Sequence, residues 1–334
     1  MKLELQDQQF VERIRKETPP VIGVLHPDWR GVRSSIQSHV KHCYLLEDNL
    51  TPESAEYYAG VLAETGCTKI VYGAFPLTYA HLIRTLHRRY PSIEQYITWH
   101  GSYMQSNEDY NWESFKGSLH LCKEGSIKRI GMAKKGMELS VRNLGVDAVF
   151  FSNFVDKIPD RSSTPAVGGP HLGLWSIEPI WRKNPYAMLA ACSLIPGADV
   201  YVRGQNKRAE EFAALYGIRL MASLDALPME QMPQELARMH LNLYVTLSEC
   251  LPMTPLESFS VGSPCLIGPS SHLFEDWKPL YDAVVVPFPD RSVVIAEYIG
   301  NALANRDSLI AEYAKFAVEY NQRAKAEFAS FINL

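Results

Sequence analysis

Glu249 and Glu257 are separated by seven residues, two of them proline (Pro252 and Pro255), and follow directly on the apolar run LNLYVTL at 241–247. A run of that length and content reads as a buried strand, and the prolines mark the turn that ends it. Thr254, Pro255 and Glu257 then fit a helix start, with threonine as N-cap, proline at the first helical position, and glutamate closing a capping box. Gly262 and Pro264 end that helix. Glu257 can therefore serve the helix alone, as a capping carboxylate. Glu249, the last residue before a turn, has no comparable structural task. In open α/β sheets ligands bind beyond the carboxyl ends of the strands, where a helix N-terminus offers amides and a positive dipole end to phosphate. A carboxylate in that place accepts hydrogen bonds from vicinal hydroxyls, such as those of a ribose.

The elements that must position these residues alternate. PPVIGVLH (19–26), TKIVYGAF (68–75) and IEQYITWHG (93–101) read as strands, with helices over 53–65 and 78–89 between them. A long helical segment over 113–144 leads to VDAVFFSNFVD (146–156) as the last strand of this half. DRSSTPAVGGP (160–170) breaks both periodicities and reads as a linker. The alternation then restarts with HLGLW (171–175), a helix over 185–194, ADVYVRG (198–204), a helix over 207–215 and the strand 241–247. Residues 307–332 carry apolar positions at helical spacing and form a long closing helix. The fold class is α/β, in two halves each built on a parallel sheet with crossover helices.

Several stretches occur in an order that resembles the retaining GT-B glycosyltransferases, family 4 in the usual classification. Glu249, seven residues, Glu257 and then Ser258-Phe259-Ser260-Val261-Gly262-Ser263-Pro264 resemble that family's E-x7-E signature and the helix after it. Ser152-Asn153-Phe154-Val155-Asp156 is similar to the "PNGVD" that closes the family's first domain. Lys183-Asn184 is similar to the segment carrying its phosphate-binding lysine, and Val202-Arg203-Gly204 to its "I-x-G" strand end. Trp99-His100-Gly101 resembles the strand end that reaches the donor sugar from the first domain, and Gly31 lies where the family has a glycine loop. Two positions depart from the pattern. The family's "GR" after the first strand of its second domain reads Gly173-Leu174-Trp175, so its arginine is missing and Arg182 is the candidate substitute. The loop of Gly31 has one glycine where the family has two.

The resemblance implies two Rossmann-like domains facing a central cleft, the C-terminal helix crossing back. Residues 1–160 would bind the acceptor, 165–306 the nucleotide sugar, and 307–334 would pack back toward the first domain. It implies transfer of a sugar from a nucleotide-diphosphate donor with retention of configuration. Glu257 would hold the ribose and Glu249 the donor sugar, while the Met253 and Thr254 amides touch sugar and phosphate and Lys183 and Arg182 bind phosphate. Gly31, Gly204 and Pro255 complete the donor set, with His100 hydrogen-bonding the sugar.

Such transfer builds negative charge on the departing phosphate, and preorganised positive groups are its main stabiliser. Because no Asp-x-Asp pair occurs in the sequence, metal-independent transfer is expected, with no cofactor beyond the sugar nucleotide. His26 and Asp28, after the first strand, are further candidates for orienting an acceptor.

Composition bounds the remaining classes. At 334 residues, 46% hydrophobic and 21% charged, the chain is a globular protein of two average domains. No apolar stretch approaches the roughly 20 residues of a membrane span. The charged N-terminus has no signal-peptide pattern, so a cytoplasmic location is expected. Six scattered cysteines read as reduced thiols. A net charge of -4 argues against a polyanion partner. Basic clusters at 123–142 and 84–89 nonetheless leave room for an anionic acceptor or peripheral contact with a membrane surface. The acceptor itself is open between a glycan, a lipid-linked sugar and a small molecule. Three other readings stand beside glycosyl transfer: a nucleotide-sugar epimerase of the same fold, a non-catalytic sugar-nucleotide-binding subunit, and sugar transfer to a modified DNA base.

Overall fold

Strands covered by helices on both faces of a parallel sheet are buried along their whole length. Val21–Leu25 (β1) is such a strand, with every residue buried. The computed structural model describes residues 3–175, 180–203, 207–223 and 228–334. Two compact units divide the chain, one formed by Met1–Asn153 with Arg323–Leu334 and the other by Phe154–Gln322.

The first unit runs α1 (Leu5–Glu17), β1, α2 (Arg30–His39), β2 (Cys43–Leu45), α3 (Pro52–Glu64), β3 (Lys69–Gly73), α4 (Tyr79–Arg89) and β4 (Glu94–Trp99). It continues with α5 (Asp109–Lys123), β5 (Arg129–Met132), α6 (Met137–Arg142) and β6 (Ala148–Phe150). Its six strands pair in parallel in the order β2-β1-β3-β4-β5-β6. Ile22, Val24, Ile70, Tyr72, Ile97 and Ile130 are buried in one core. The end of the chain completes this unit: the Phe331 ring lies 5.9 Å from that of Phe151, and Lys69 Nζ and Arg129 Nη1 donate to the carbonyls of Ile332 and Ser330 at 2.9 and 3.0 Å.

The second unit comprises β7 (His171–Leu174), α7 (Pro185–Cys192), β8 (Asp199–Arg203), α8 (Lys207–Leu215), β9 (Arg219–Ser223), α9 (Met232–Arg238) and β10 (Leu241–Tyr244). After these come α10 (Met253–Ser260), β11 (Cys265–Ile267), α11 (Lys278–Val284), α12 (Ser292–Ala304) and α13 (Arg306–Phe331). All its pairings are parallel, in the order β11-β10-β7-β8-β9. The strand order therefore reverses between β7 and β10. Connections leave these two strands in opposite directions, and in open α/β sheets ligands bind beyond the carboxyl ends of the strands at such a switch point.

Two parallel α/β sheets are present as the alternation requires, and the expected strands and helices at 19–26, 53–65, 68–75, 78–89, 93–101, 171–175, 185–194, 198–204 and 207–215 form. The helix expected over 113–144 does not. α5 stops at Lys123, β5 enters the sheet beside β4, and only the short α6 follows. Arg129 explains how so basic a segment becomes a strand: its guanidinium reaches Asp147 at 2.8 Å as well as the last helix. Its neighbours are also engaged, Lys128 by Glu94 and Arg142 by the Ala148 carbonyl at 2.6 Å. In the second basic cluster, Arg84 binds Glu124 and Arg88 and Arg89 share Glu56. Gly31 lies in the first turn of α2, not in a loop, with open space where a side chain would start. All six cysteines are free thiols. Among the described residues, no helix is long and apolar enough to cross a membrane.

Candidate functional site

The switch point between β7 and β10 is built by residues just beyond the two strands. Asn184 takes a left-handed conformation (φ 56°) ahead of Pro185, the first residue of α7. Its amide donates to the Val245 carbonyl at 3.0 Å and to the Pro289 carbonyl, and Leu247 N donates to the Arg182 carbonyl at 2.8 Å. These bonds fasten the turn Trp181–Lys183 onto the segment leaving β10. Lys183 is thereby brought to Glu249.

Lys183 Nζ forms an ion pair with Glu249 Oε1 and donates to the Tyr244 hydroxyl at 2.7 Å. That hydroxyl in turn donates to Glu249 Oε1 at 3.0 Å, closing a three-membered ring of hydrogen bonds. Arg182 Nη1 stands 4.0 Å from the same carboxylate oxygen. The side chains of Arg182, Lys183 and Glu249 are only 12 to 15% exposed. Burial alone would push the Lys183 ammonium toward its neutral form, but contact with Tyr244 and Glu249 outweighs it and holds the pKa above its ordinary value. Burial first, and the Glu249 charge second, raise Tyr244, so its phenol keeps its proton. The result is a largely buried cluster with two cationic groups at the end of a sheet, where the field of each is little screened.

Helix α10 starts four residues after Glu249. Its first residue is Met253, and Pro252 stands at the N-cap without a side-chain cap. The capping box expected from Thr254, Pro255 and Glu257 is not formed, because the helix begins at Met253 and Thr254 is already its second residue. The amides of Met253 and Thr254 belong to the first turn, while Pro255 has none to offer. Glu257 lies half-buried further along the same helix. Gly262 ends it at φ 80°, as its place in the sequence indicates.

Behind this surface a polar residue fixes the two strands to α10. The buried Asn242 amide donates to Ser258 Oγ at 2.8 Å and Ser263 Oγ at 2.9 Å, and its Oδ1 accepts from Trp175 Nε1 at 2.5 Å. A β-carbon on Gly173 would fall 2.4 Å from Asn242 Oδ1 and 2.6 Å from Trp175 Nε1, so this indole–amide contact requires glycine there. α10 is braced from its other side by Phe259, stacked on Tyr313 of α13 with centroids 4.6 Å apart.

The structure thus brings Arg182, Lys183 and Glu249 together, with α10 and its Met253, Thr254, Pro255 and Glu257 close behind them in the chain. His100 and Gly31 belong to the first unit. His100 Nε2 lies 3.1 Å from Thr98 Oγ1 and its ring meets Phe151 edge-on, and burial lowers its pKa to about 4, so it is neutral at neutral pH. His26, at the end of β1, accepts from the Asp28 amide at 3.2 Å and faces Asp48 at 3.6 Å. Gly204 lies outside the described residues. Sequence reasoning missed Tyr244, Trp175 and Asn242. An asparagine inside the run LNLYVTL was the visible signal, since a polar group in a buried strand must find partners.

Two parallel-sheet α/β units in succession, the chain's last helix contributing to both, make up the GT-B fold of glycosyltransferases. Solved structures of that fold match nearly the whole chain. Sucrose-phosphate synthase from Thermosynechococcus elongatus is 12% identical with a TM-score of 0.64, over 93% of this chain and 95% of that one. HepE from Anabaena, in complex with UDP and glucose, is 12% identical with a TM-score of 0.66, over 93% and 98%. A UDP-forming trehalose-phosphate synthase from Burkholderia xenovorans, in complex with glucose-6-phosphate, is 9% identical with a TM-score of 0.61, over 84% and 77%. No family model matches the sequence, and no curated protein does. Identities this low carry likeness of fold alone.

Proposed function

We propose that the protein is a glycosyltransferase that moves a sugar from a nucleotide-diphosphate donor to an acceptor hydroxyl, with retention of configuration and without a metal ion. The observation that carries this reading is the Arg182, Lys183, Glu249 and Tyr244 cluster at the β7/β10 switch point. In the reaction the bond from the anomeric carbon to the phosphate oxygen breaks and a bond to the acceptor oxygen forms. The acceptor's proton passes to the departing phosphate. Lys183, Arg182 and the first-turn amides of α10 receive the leaving diphosphate, whose charge grows as the bond breaks. Glu249 faces the donor sugar and Glu257 the ribose, with the first unit, including His100 and Gly31, serving the acceptor and sugar side. Metal independence rests on the absence of an Asp-x-Asp pair and on these two cationic side chains. A cytoplasmic location fits the same reading.

UDP-sugars are the first donors to try, since the HepE structure that this chain resembles holds UDP and glucose. The test is release of nucleoside diphosphate from UDP-, GDP- and ADP-sugars in the presence of EDTA, with the anomeric configuration of the product read by NMR. Release with an α-linked product from an α-linked donor supports the reading, and an absolute need for divalent metal, or inversion, counts against it. Gly173-Leu174-Trp175, which lacks the arginine expected from the resemblance and whose indole is bonded to Asn242, favours a second reading: a sugar-nucleotide-binding protein without turnover. Saturable binding with no release across the acceptor panel would select it.

A further inference from the structure

We propose that Tyr244 is a positioning residue for the diphosphate-binding lysine: its hydroxyl, bonded to both members of the Lys183–Glu249 ion pair, aims the ammonium at the incoming leaving group. The inference rests on the reading of Lys183 as a diphosphate ligand. Tyr244 is the last residue of β10 and is buried, so its ring could be replaced by that of phenylalanine with no loss of apolar packing. What tyrosine adds is one oxygen. That oxygen accepts from Lys183 at 2.7 Å and donates to Glu249 at 3.0 Å, so both its partners are charged.

The geometry has two consequences for Lys183. An ammonium on a four-carbon stem has three donors and many rotamers, and holding it in one of them ahead of ligand binding removes an entropic cost from the binding step. Among the described residues, Tyr244 and Glu249 take two of the three N–H groups. The third is the one to offer a phosphate oxygen. The ammonium also stands 5.0 Å from the Tyr244 ring centre, a second contact that restrains it. Without the hydroxyl, Lys183 would keep its contact with Glu249 but lose its second anchor, and the ammonium could swing about that carboxylate. Glu249, having lost one of its donors, would also be less well fixed.

Calorimetric titration of UDP, GDP, ADP, CDP and TDP into the full-length protein provides the test, followed with the tightest of the five. Tyr244→Phe should weaken binding about tenfold, of the order expected when one hydrogen bond to a charged group is lost. Lys183→Met should weaken it further, and the double variant should bind no more weakly than Lys183→Met alone, because Tyr244 acts through Lys183. A merely structural tyrosine would lower the melting temperature and give additive or no effects on affinity. That outcome overturns the role of Tyr244 while leaving Lys183 in place. If Lys183→Met binds as well as wild type, or if none of the five ligands binds, the reading of Lys183 is what fails, and the proposal falls with it. A second readout leaves Tyr244 intact: in protein labelled with 15N-lysine, a clamped Lys183 gives a slowly exchanging ammonium signal, assigned by its loss in Lys183→Met. Its absence in wild-type protein contradicts the clamp.

Discussion

Asn242 Oδ1 accepts a hydrogen bond from Trp175 Nε1 at 2.5 Å, joining the end of β7 to the middle of β10 across the point where the strand order reverses. The same side chain reaches Ser258 in α10 and Ser263 beyond it. Asn242→Leu leaves the indole and both serines with broken networks in a buried place and should destabilise the protein by about 2–4 kcal/mol. Gly173→Ala acts on the same contact by driving a β-carbon into it and should cost about 1–3 kcal/mol. Urea denaturation of both variants checks this, and wild-type midpoints would show that the pin is idle.

Breaking the ion pair at the site should affect folding and chemistry together. Glu249→Ala removes the carboxylate that faces both the Lys183 ammonium and the Arg182 guanidinium in a largely buried place, and a buried pair deprived of one partner loses about 3–5 kcal/mol. Turnover should fall by at least about a hundredfold, as expected when a group facing developing charge is removed. Steady-state rates and thermal melts on the same preparations separate the two effects.

Thr254→Ala should cost under about 0.5 kcal/mol, because α10 begins at Met253 and Thr254 caps nothing, whereas loss of a true N-cap costs about 1 kcal/mol. Glu257→Ala should weaken donor binding, read by calorimetric titration, without the stability loss expected of a capping box. Denaturant midpoints of the two variants decide the point.

Acid should loosen the first unit. His39 is stacked on Phe328 with centroids 4.1 Å apart and lies 2.9 Å from the Ser152 carbonyl, and burial lowers its pKa to about 3. Burial likewise lowers His100 to about 4. Between the ordinary histidine pKa of about 6.5 and these values the unfolded chain binds more protons than the folded one, so stability rises with pH there. The contribution is complete above about pH 6.5 and is lost as pH falls toward 4 and then 3. His39→Gln and His100→Gln should each flatten the melting temperature against pH between 7 and about 4.5. A slope equal to wild type in both would contradict the assignment.

Much of the framework was legible in the sequence because it is local. Apolar runs at 21–25 and 69–73 and the helical faces of α3 and α4 announce themselves by periodicity alone. β5 did not, since RIGM owes its place in the sheet to Asp147 and to carbonyls some 200 residues later in the chain. Around Glu249 and Glu257 the prolines announced a turn followed by a helix, although α10 starts at Met253 and not after a Thr254 cap. Tyr244 was hidden within an apolar strand, and its hydroxyl acquires meaning only from Lys183, 61 residues earlier. The left-handed Asn184 that delivers Lys183 could not be read from a single Lys-Asn-Pro triplet either.

The central claim is that the crevice beyond β7 and β10 receives a sugar nucleotide. Hydrogen exchange read by mass spectrometry, with and without UDP-glucose or whichever of the UDP-, GDP- and ADP-sugars most raises the melting temperature, tests it most directly. Residues 181–186 and 247–256 should gain protection, and Lys183→Met should abolish that gain. Protection confined to other segments, or none with any of these donors, would contradict the account.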